Sequence, residues 1–208
     1  MIKQVEVFEF NELSEEVKAK LMEIAKEQMI IDRFDNLYEN LLYFLKDTKG
    51  IEVEDDALRY SLSCCQGDGL NFKMDDMHKC SYFIDKVKEI LSPVEKAMLT
   101  KLLKAEAFMI HSTGNTGRYY FHSTEDVDFE INDTPTTPQL HLIKKVTDEV
   151  SELYCEVCSE LEKIGYGVYD IPDEEVEEYC DACENLYFKD GEIADYYLIE
   201  EERVITLS

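Results

Sequence analysis

Four cysteines in two Cys-x-x-Cys pairs are the residues whose spacing most directly suggests chemistry. The first pair is Cys155 and Cys158, and the second is Cys180 and Cys183, with 21 residues between the pairs. Four thiolates near this spacing can bind a structural zinc ion. Both pairs fall inside predicted helices without turn glycines, however, and their acidic neighbours disfavour thiolates. We therefore expect incidental cysteines and no bound metal, with a zinc-stabilised interaction module as an alternative.

Two histidines form a second candidate group, together with a carboxylate and a phenol. His111 and His122 lie on two predicted strands of one hairpin, which turns at residues 114–117, and would face each other across it. With Asp68 and Tyr119 they could form an acid–base or metal site. Histidines in hairpins commonly serve packing, and the sequence contains none of the P-loop, HExxH, nucleophile-elbow or EF-hand motifs. A non-enzymatic protein is favoured, and a small hydrolase or nuclease using these residues is the alternative.

The stretch from Tyr60 to Phe72 predicts the hairpin around which the fold is organised. Runs with period-two character flank Gln66-Gly67-Asp68-Gly69, and two glycines around an Asp suit a tight reversal. The pattern indicates a half-buried β-hairpin with a carboxylate at its tip. Gln66 and Asp68 are therefore candidate partner contacts. A turn selected only for its dihedral angles is the other interpretation.

The remaining pattern predicts an α+β domain. An antiparallel sheet containing both hairpins and an N-terminal strand at residues 2–10 would pack against several helices. Helical apolar spacing covers residues 14–30, 32–47, 82–91, 92–104, 138–164 and 172–185. The length of 208 residues suits one domain, 1–208. A break at 133–138 would divide it into a sheet-containing part, 1–133, and an acidic helical part, 138–208.

Charge is the strongest global signal, because 47 acidic and 21 basic residues give a formal net charge of −26. Contacts to phosphates need a basic surface, so direct nucleic-acid binding is disfavoured. Residues 148–203 hold 20 acidic and three basic residues, mostly on predicted solvated helix faces. These carboxylates could pair with a basic partner surface or serve solubility alone. The candidate partner contacts are Glu174, Glu175, Glu177, Glu178, Asp181 and Glu184.

The sequence also indicates a compartment. The N-terminal residues MIKQVEVFEF lack the basic and apolar regions of a secretory signal, and no apolar run reaches the ~20 residues of a membrane helix. Seven cysteines, an odd number that includes adjacent Cys64 and Cys65, fit a reducing environment. We therefore expect a cytoplasmic protein with no membrane attachment and no cofactor.

Several segments resemble a family of small phage and mobile-element proteins. Phe10–Lys18, FNELSEEVK, is similar to the family's N-terminal strand-to-helix junction, and Cys65–Gly69, CQGDG, to its hairpin core. Gly117–His122, GRYYFH, resembles its Gly-Arg-Tyr-Tyr-His segment with Phe121 added. Leu161–Lys163 and Ile171–Ile193 look like its closing helix and turn. The resemblance implies an accessory protein of the bacterial host cytoplasm. By analogy, it would inhibit a host nucleic-acid-targeting defence protein, as anti-CRISPR and antirestriction factors do.

Overall fold

The computed structural model describes residues 5–63, 67–114, 121–183, 185–194 and 205–207. The chain forms two units: one combines Met1–Asp35 with Gly167–Ser208, and the other is Asn36–Tyr166. The predicted break at 133–138 lies inside the second unit. That the chain is a single domain stays a prediction.

Six α-helices carry most of the regular structure in the described part of the chain. They are α1 (Glu15–Asp35), α2 (Leu37–Tyr43), α3 (Ser81–Ile90), α4 (Pro93–Lys104), α5 (Thr137–Tyr166) and α6 (Asp173–Ala182). A π-helical turn, Phe44–Thr48, continues α2. The long helix predicted for residues 138–164 is confirmed as α5. Its unbroken apolar spacing is the kind of signal that identifies helices reliably.

Local sequence signals fix where α4 begins. Pro93 occupies its first turn, and Ser92 and Glu95 form a reciprocal capping box. The Glu95 N–H donates to Ser92 Oγ at 3.3 Å, and the Ser92 N–H donates to the Glu95 carboxylate at 2.8 Å. Lys145 of α5 also donates to Glu95, at 2.9 Å. The hydrogen bonds from Lys145 and Ser92 lower the pKa of Glu95 to about 2, so this carboxylate remains charged across the neutral range.

Six short strands pair as three two-stranded sheets among the described residues. They are β1 (Val5–Val7), β2 (Leu58–Ser61), β3 (Gly69–Phe72), β4 (Phe108–Ser112), β5 (Val127–Ile131) and β6 (Ile205–Leu207). β2–β3 and β4–β5 are antiparallel, and β1–β6 is parallel. The α+β prediction is therefore confirmed, and so is the antiparallel pairing of the central hairpin. The predicted half-burial is wrong for β3, whose four residues are all buried. The prediction that one antiparallel sheet contains the N-terminal strand and both hairpins is wrong, because β1 pairs with the distant C-terminal strand.

The partner of β4 also differs from the prediction. β4 pairs with β5, so that Ile110 lies opposite Phe129 and His111 opposite Asp128. The strand predicted at residues 118–122 falls largely on residues 115–120, which lie outside the described ranges. Strand propensity is a local preference, whereas pairing depends on which residues cover a buried face. Phe108 and Ile110 of β4 are fully buried, and β5 supplies Val127 beside them.

The second unit is built around α5, which packs against β3, β5, α2, α3 and α4. The predicted apolar stripe of α5 is buried at Leu142, Val146, Val150, Val157 and Leu161, while Leu153 is only half-buried. Tyr154 is also fully buried, with its ring centroid 4.8 Å from that of Phe72. The Tyr154 hydroxyl donates to the Phe72 carbonyl at 3.1 Å and accepts from the Phe72 N–H at 3.2 Å. One side chain therefore ties α5 to β3 by both packing and hydrogen bonds.

The first unit is held together by α1 and α6, which come from opposite ends of the chain. Its buried cluster comprises Phe10, Leu13, Ala25, Met29, Ile171, Val176, Cys180 and Tyr187. Two ion pairs join the helices at the surface: Lys26 with Asp173 at 3.3 Å, and Arg33 with Glu175 at 2.5 Å. The apolar contacts supply most of the stability of this helix pair, since exposed ion pairs contribute little.

His78 is a buried histidine held in the neutral state. It is 3% exposed, and its Nδ1 accepts a hydrogen bond from the Ile110 N–H at 3.3 Å. Its Nε2 lies 3.9 Å from the Asp76 carboxylate. Burial outweighs this carboxylate and lowers the pKa of His78 below its ordinary value of 6.5.

We expect the stability contributed by neutral His78 to be lost as the pH falls below about 6.5, because the unfolded chain then binds a proton that the folded state excludes. Urea unfolding of the wild type and of His78→Gln over pH 5 to 8 measures this, since the surface carboxylates titrate equally in both proteins. The stability advantage of the wild type should be complete at pH 7.5 and should narrow toward pH 5. A difference in unfolding free energy between the two proteins that stays constant from pH 5 to pH 8 would contradict the neutral state of His78.

Candidate functional sites

The connection between β2 and β3 is stabilised by its own carboxylate. Ser61 lies opposite Gly69, so the connection comprises residues 62–68 and the prediction of a tight reversal at 66–69 is wrong, although Gly67 within it has a positive φ of 99°. Asp68 accepts hydrogen bonds from the Ser61 hydroxyl at 2.7 Å and from the Ser63 hydroxyl at 3.3 Å. These bonds give Asp68 a structural role in the turn. Gln66 lies outside the described residues, and a partner contact at the tip stays a prediction.

His122 lies against α5 and not across a hairpin from His111. Its Nε2 is 3.0 Å from Ser159 Oγ. Its Nδ1 is 3.3 Å from the Leu70 carbonyl and 3.3 Å from Glu162 Oε1. The predicted pairing of the two histidines is wrong because β5 takes the place next to β4. Tyr119, the fourth residue of the predicted acid–base group, lies outside the described residues.

The neighbours of His122 determine its tautomer. Both groups next to Nδ1 are acceptors, a carbonyl and a carboxylate, so Nδ1 carries the hydrogen. Nε2 then has a free lone pair and accepts from the Ser159 hydroxyl. Glu162 is fixed in turn, since its Oε1 accepts from the Leu70 N–H at 3.0 Å. The result is a Glu–His–Ser cluster: Nδ1 donates to the Leu70 carbonyl beside the Glu162 carboxylate, and Nε2 can accept the proton of the serine.

Sequence reasoning missed two members of this cluster, Ser159 and Glu162. Ser159 and Glu162 are three residues apart on α5 and therefore face the same side of the helix. That spacing was readable from the sequence, but it is common and identifies no partner. His122 is 37 residues from Ser159, and only the packing of His122 against α5 brings the two together.

The second candidate site is a row of carboxylates on α6. Asp173, Glu174 and Glu175 begin the helix, where negative charge interacts favourably with the helix dipole. Val176 and Cys180 are buried against the first unit's core. The opposite side carries Glu174, Glu177, Glu178 and Asp181, all exposed, which we call the acidic face of α6. Their positions at i, i+3, i+4 and i+7 place them on one side of the helix.

The six acidic residues predicted as partner contacts differ in their surroundings. Glu175 pairs with Arg33, and Asp181 accepts a hydrogen bond from the Asn11 side-chain amide. No ion pair to Glu174, Glu177 or Glu178 is found among the residues that the structure describes. Glu184 lies outside them. Three carboxylates of the acidic face are thus available to a basic partner.

The four cysteines of the two Cys-x-x-Cys pairs all lie in or directly after helices. Cys158 and Cys180 are buried, Cys155 is half-buried and Cys183 is exposed. Burial raises the pKa of the Cys155, Cys158 and Cys180 thiols, which disfavours the thiolates that zinc requires. Within the described ranges, no three His, Cys, Asp or Glu side chains come together as a metal site. The zinc-stabilised module therefore gains no support.

No protein-family model, curated protein or solved structure matches this chain. The resemblance to phage and mobile-element proteins consequently stays a prediction. None of the described helices is long and apolar enough to cross a membrane.

Proposed function

We propose that this chain is a mobile-element accessory protein that occupies a basic groove of a host nucleic-acid-targeting defence protein, in the manner of an anti-CRISPR or antirestriction inhibitor. The observation that carries the proposal is the acidic face of α6, within a chain of net charge −26. Carboxylates there would take the place of nucleic-acid phosphates and pair with Arg or Lys of the partner.

Order distinguishes this surface from a disordered acidic tail. The buried side chains Val176 and Cys180 hold α6 in place, and the Lys26–Asp173 ion pair joins it to α1. From Glu174 to Asp181 the acidic face extends about 10 Å along the helix axis, given the rise per residue. Carboxylates held in fixed positions lose less conformational entropy on binding than those of a flexible segment.

The net charge supports the same kind of partner. A large negative potential accelerates encounter with a basic surface, and it repels nucleic acid itself. The exposed carboxylates act mainly through solvent, so screening by salt should weaken the association steeply. Binding that depends on salt and needs no turnover separates this proposal from a hydrolase acting on the partner.

Competition with nucleic acid tests the proposal directly. Purified RNA-guided nucleases and restriction endonucleases are each bound to a fluorescently labelled DNA substrate, and the protein is added at 50 mM and at 500 mM salt. Release of DNA from at least one effector at the lower salt, abolished at the higher salt, is the expected result. Failure to release DNA from any effector at the lower salt would overturn the proposal.

Reversing the charge of the acidic face should weaken this competition about thirtyfold. The triple variant Glu174→Lys, Glu177→Lys and Glu178→Lys removes three contacts worth about 0.5–1 kcal/mol each, or about 2 kcal/mol together. Circular dichroism checks that α6 remains folded.

The matched control reverses three exposed carboxylates elsewhere, in Glu39→Lys, Asp47→Lys and Glu89→Lys. It changes the net charge by the same amount, and it should retain most of the competing activity. Equal losses in the two triple variants would show that total charge matters and that the acidic face of α6 does not.

A further inference from the structure

We propose that Ser159, His122 and Glu162 form a second, independent site that hydrolyses small carboxylic esters through an acyl-serine intermediate. The distance from Ser159 Oγ to His122 Nε2, 3.0 Å, is that of an activated serine, and the Glu162 carboxylate lies 3.3 Å from Nδ1, whose hydrogen the Leu70 carbonyl accepts. In this arrangement Ser159 is the nucleophile, His122 is the general base, and Glu162 positions the imidazole.

His122 and Glu162 are partly shielded from water, whereas Ser159 is open to a small substrate. The side chains of His122 and Glu162 are 15% and 25% exposed, so water screens the imidazole and its carboxylate only partly. Ser159 borders an open cavity of about 450 Å³. A small ester in this cavity can therefore approach Ser159, while the histidine remains packed against α5.

The lining of this cavity indicates the substrate class. Glu152 and Glu156 are exposed carboxylates on the same wall, and they disfavour an anionic substrate. Glu160 is paired with Lys49 at 2.6 Å. Lys163 lies one helical turn after Ser159 and borders the same cavity, where its ammonium group can attract the oxygen of the reacting carbonyl. The site is thus suited to neutral esters and to esters with a cationic alcohol group.

The reaction has two balanced halves. Ser159 Oγ bonds to the acyl carbon as its proton passes to His122 Nε2. The ester C–O bond then breaks, and the same proton leaves with the alcohol. Water next bonds to the acyl carbon while His122 takes one of its protons. Collapse breaks the bond to Ser159 Oγ, which regains that proton from His122 and releases the carboxylic acid.

The test is hydrolysis of p-nitrophenyl acetate and acetylthiocholine, together with labelling by a fluorophosphonate probe. The full chain should hydrolyse both esters, and peptide mass spectrometry should find the probe on Ser159. Ser159→Ala should lose both hydrolysis and labelling, by about 100-fold or more, with an unchanged melting temperature. Ser151→Ala is the matched control and should retain both, because the Ser151 hydroxyl, on the same helix, donates to the Thr147 carbonyl and not to His122.

Two further outcomes separate this site from a cluster with a purely structural role. Glu162→Gln keeps a hydrogen-bonding side chain but removes the charge, so it should lower kcat with little change in KM. Hydrolysis no faster than in buffer, or labelling that survives Ser159→Ala, would overturn the proposal. Because Ser159→Ala leaves α6 unchanged, loss of hydrolysis would not affect the competition experiment on the acidic face.

Discussion

Tyr154→Ala should lower the free energy of unfolding by about 4 kcal/mol, the largest effect that we expect from a single substitution in this chain. Tyr154 is fully buried, and its ring packs 4.8 Å from that of Phe72. Truncation removes this packing and leaves a cavity between α5 and β3. Equilibrium unfolding in urea, followed by circular dichroism, measures the loss.

Tyr154→Phe separates the hydroxyl from the ring. This substitution leaves the buried N–H of Phe72 without its acceptor, while the Phe72 carbonyl keeps a hydrogen bond from Ser112 at 2.8 Å. A loss of about 1–3 kcal/mol is expected for one buried donor left unsatisfied. Tyr43 is 66% exposed in the same unit, and Tyr43→Ala should change stability by less than about 0.5 kcal/mol. Similar losses for Tyr154→Phe and Tyr43→Ala would contradict the role of the hydroxyl.

The second large effect is expected at Gly165, near the end of α5. A Cβ atom at this position would lie 2.3 Å from Leu62 Cδ1, far inside van der Waals contact. Both residues are buried, so Leu62 Cδ1 can give way only by repacking against its buried neighbours. Gly165→Val should therefore destabilise the protein by about 3 kcal/mol. Gly165→Ala should cost less, because alanine favours the helix by about 1 kcal/mol over glycine.

A double variant tests whether the close approach is the cause. Leu62→Ala removes the atom in conflict, so Gly165→Ala should be nearly neutral, or stabilising, when added to Leu62→Ala. Gly167→Ala is the matched control, since a Cβ there would meet no atom within 4 Å. Equal effects of the Gly165 substitution with and without Leu62 would rule out the steric explanation.

Local patterns in the sequence determined much of the secondary structure. The apolar spacing of residues 138–164 defined α5 to within two residues, and Ser92-Pro93 marked the start of α4. Gly67 supplied the positive φ of the central hairpin. The acidic residues of α6 were also predicted as solvated, because they alternate with apolar positions at helical spacing. These features succeed because each depends on residues within a few positions of one another.

The tertiary structure alone decided which distant elements meet. β4 pairs with β5, β1 pairs with β6, and α1 packs on α6 from the other end of the chain. The Glu–His–Ser cluster arises in the same way, since His122 meets Ser159 and Glu162 only when the folded chain brings it to α5. Long-range pairing follows from which surfaces cover one another's apolar groups, and a single sequence does not encode this in its spacing. The charge and the helices of this protein are thus local properties, whereas its strand partners and the surroundings of His122 are properties of the packed chain.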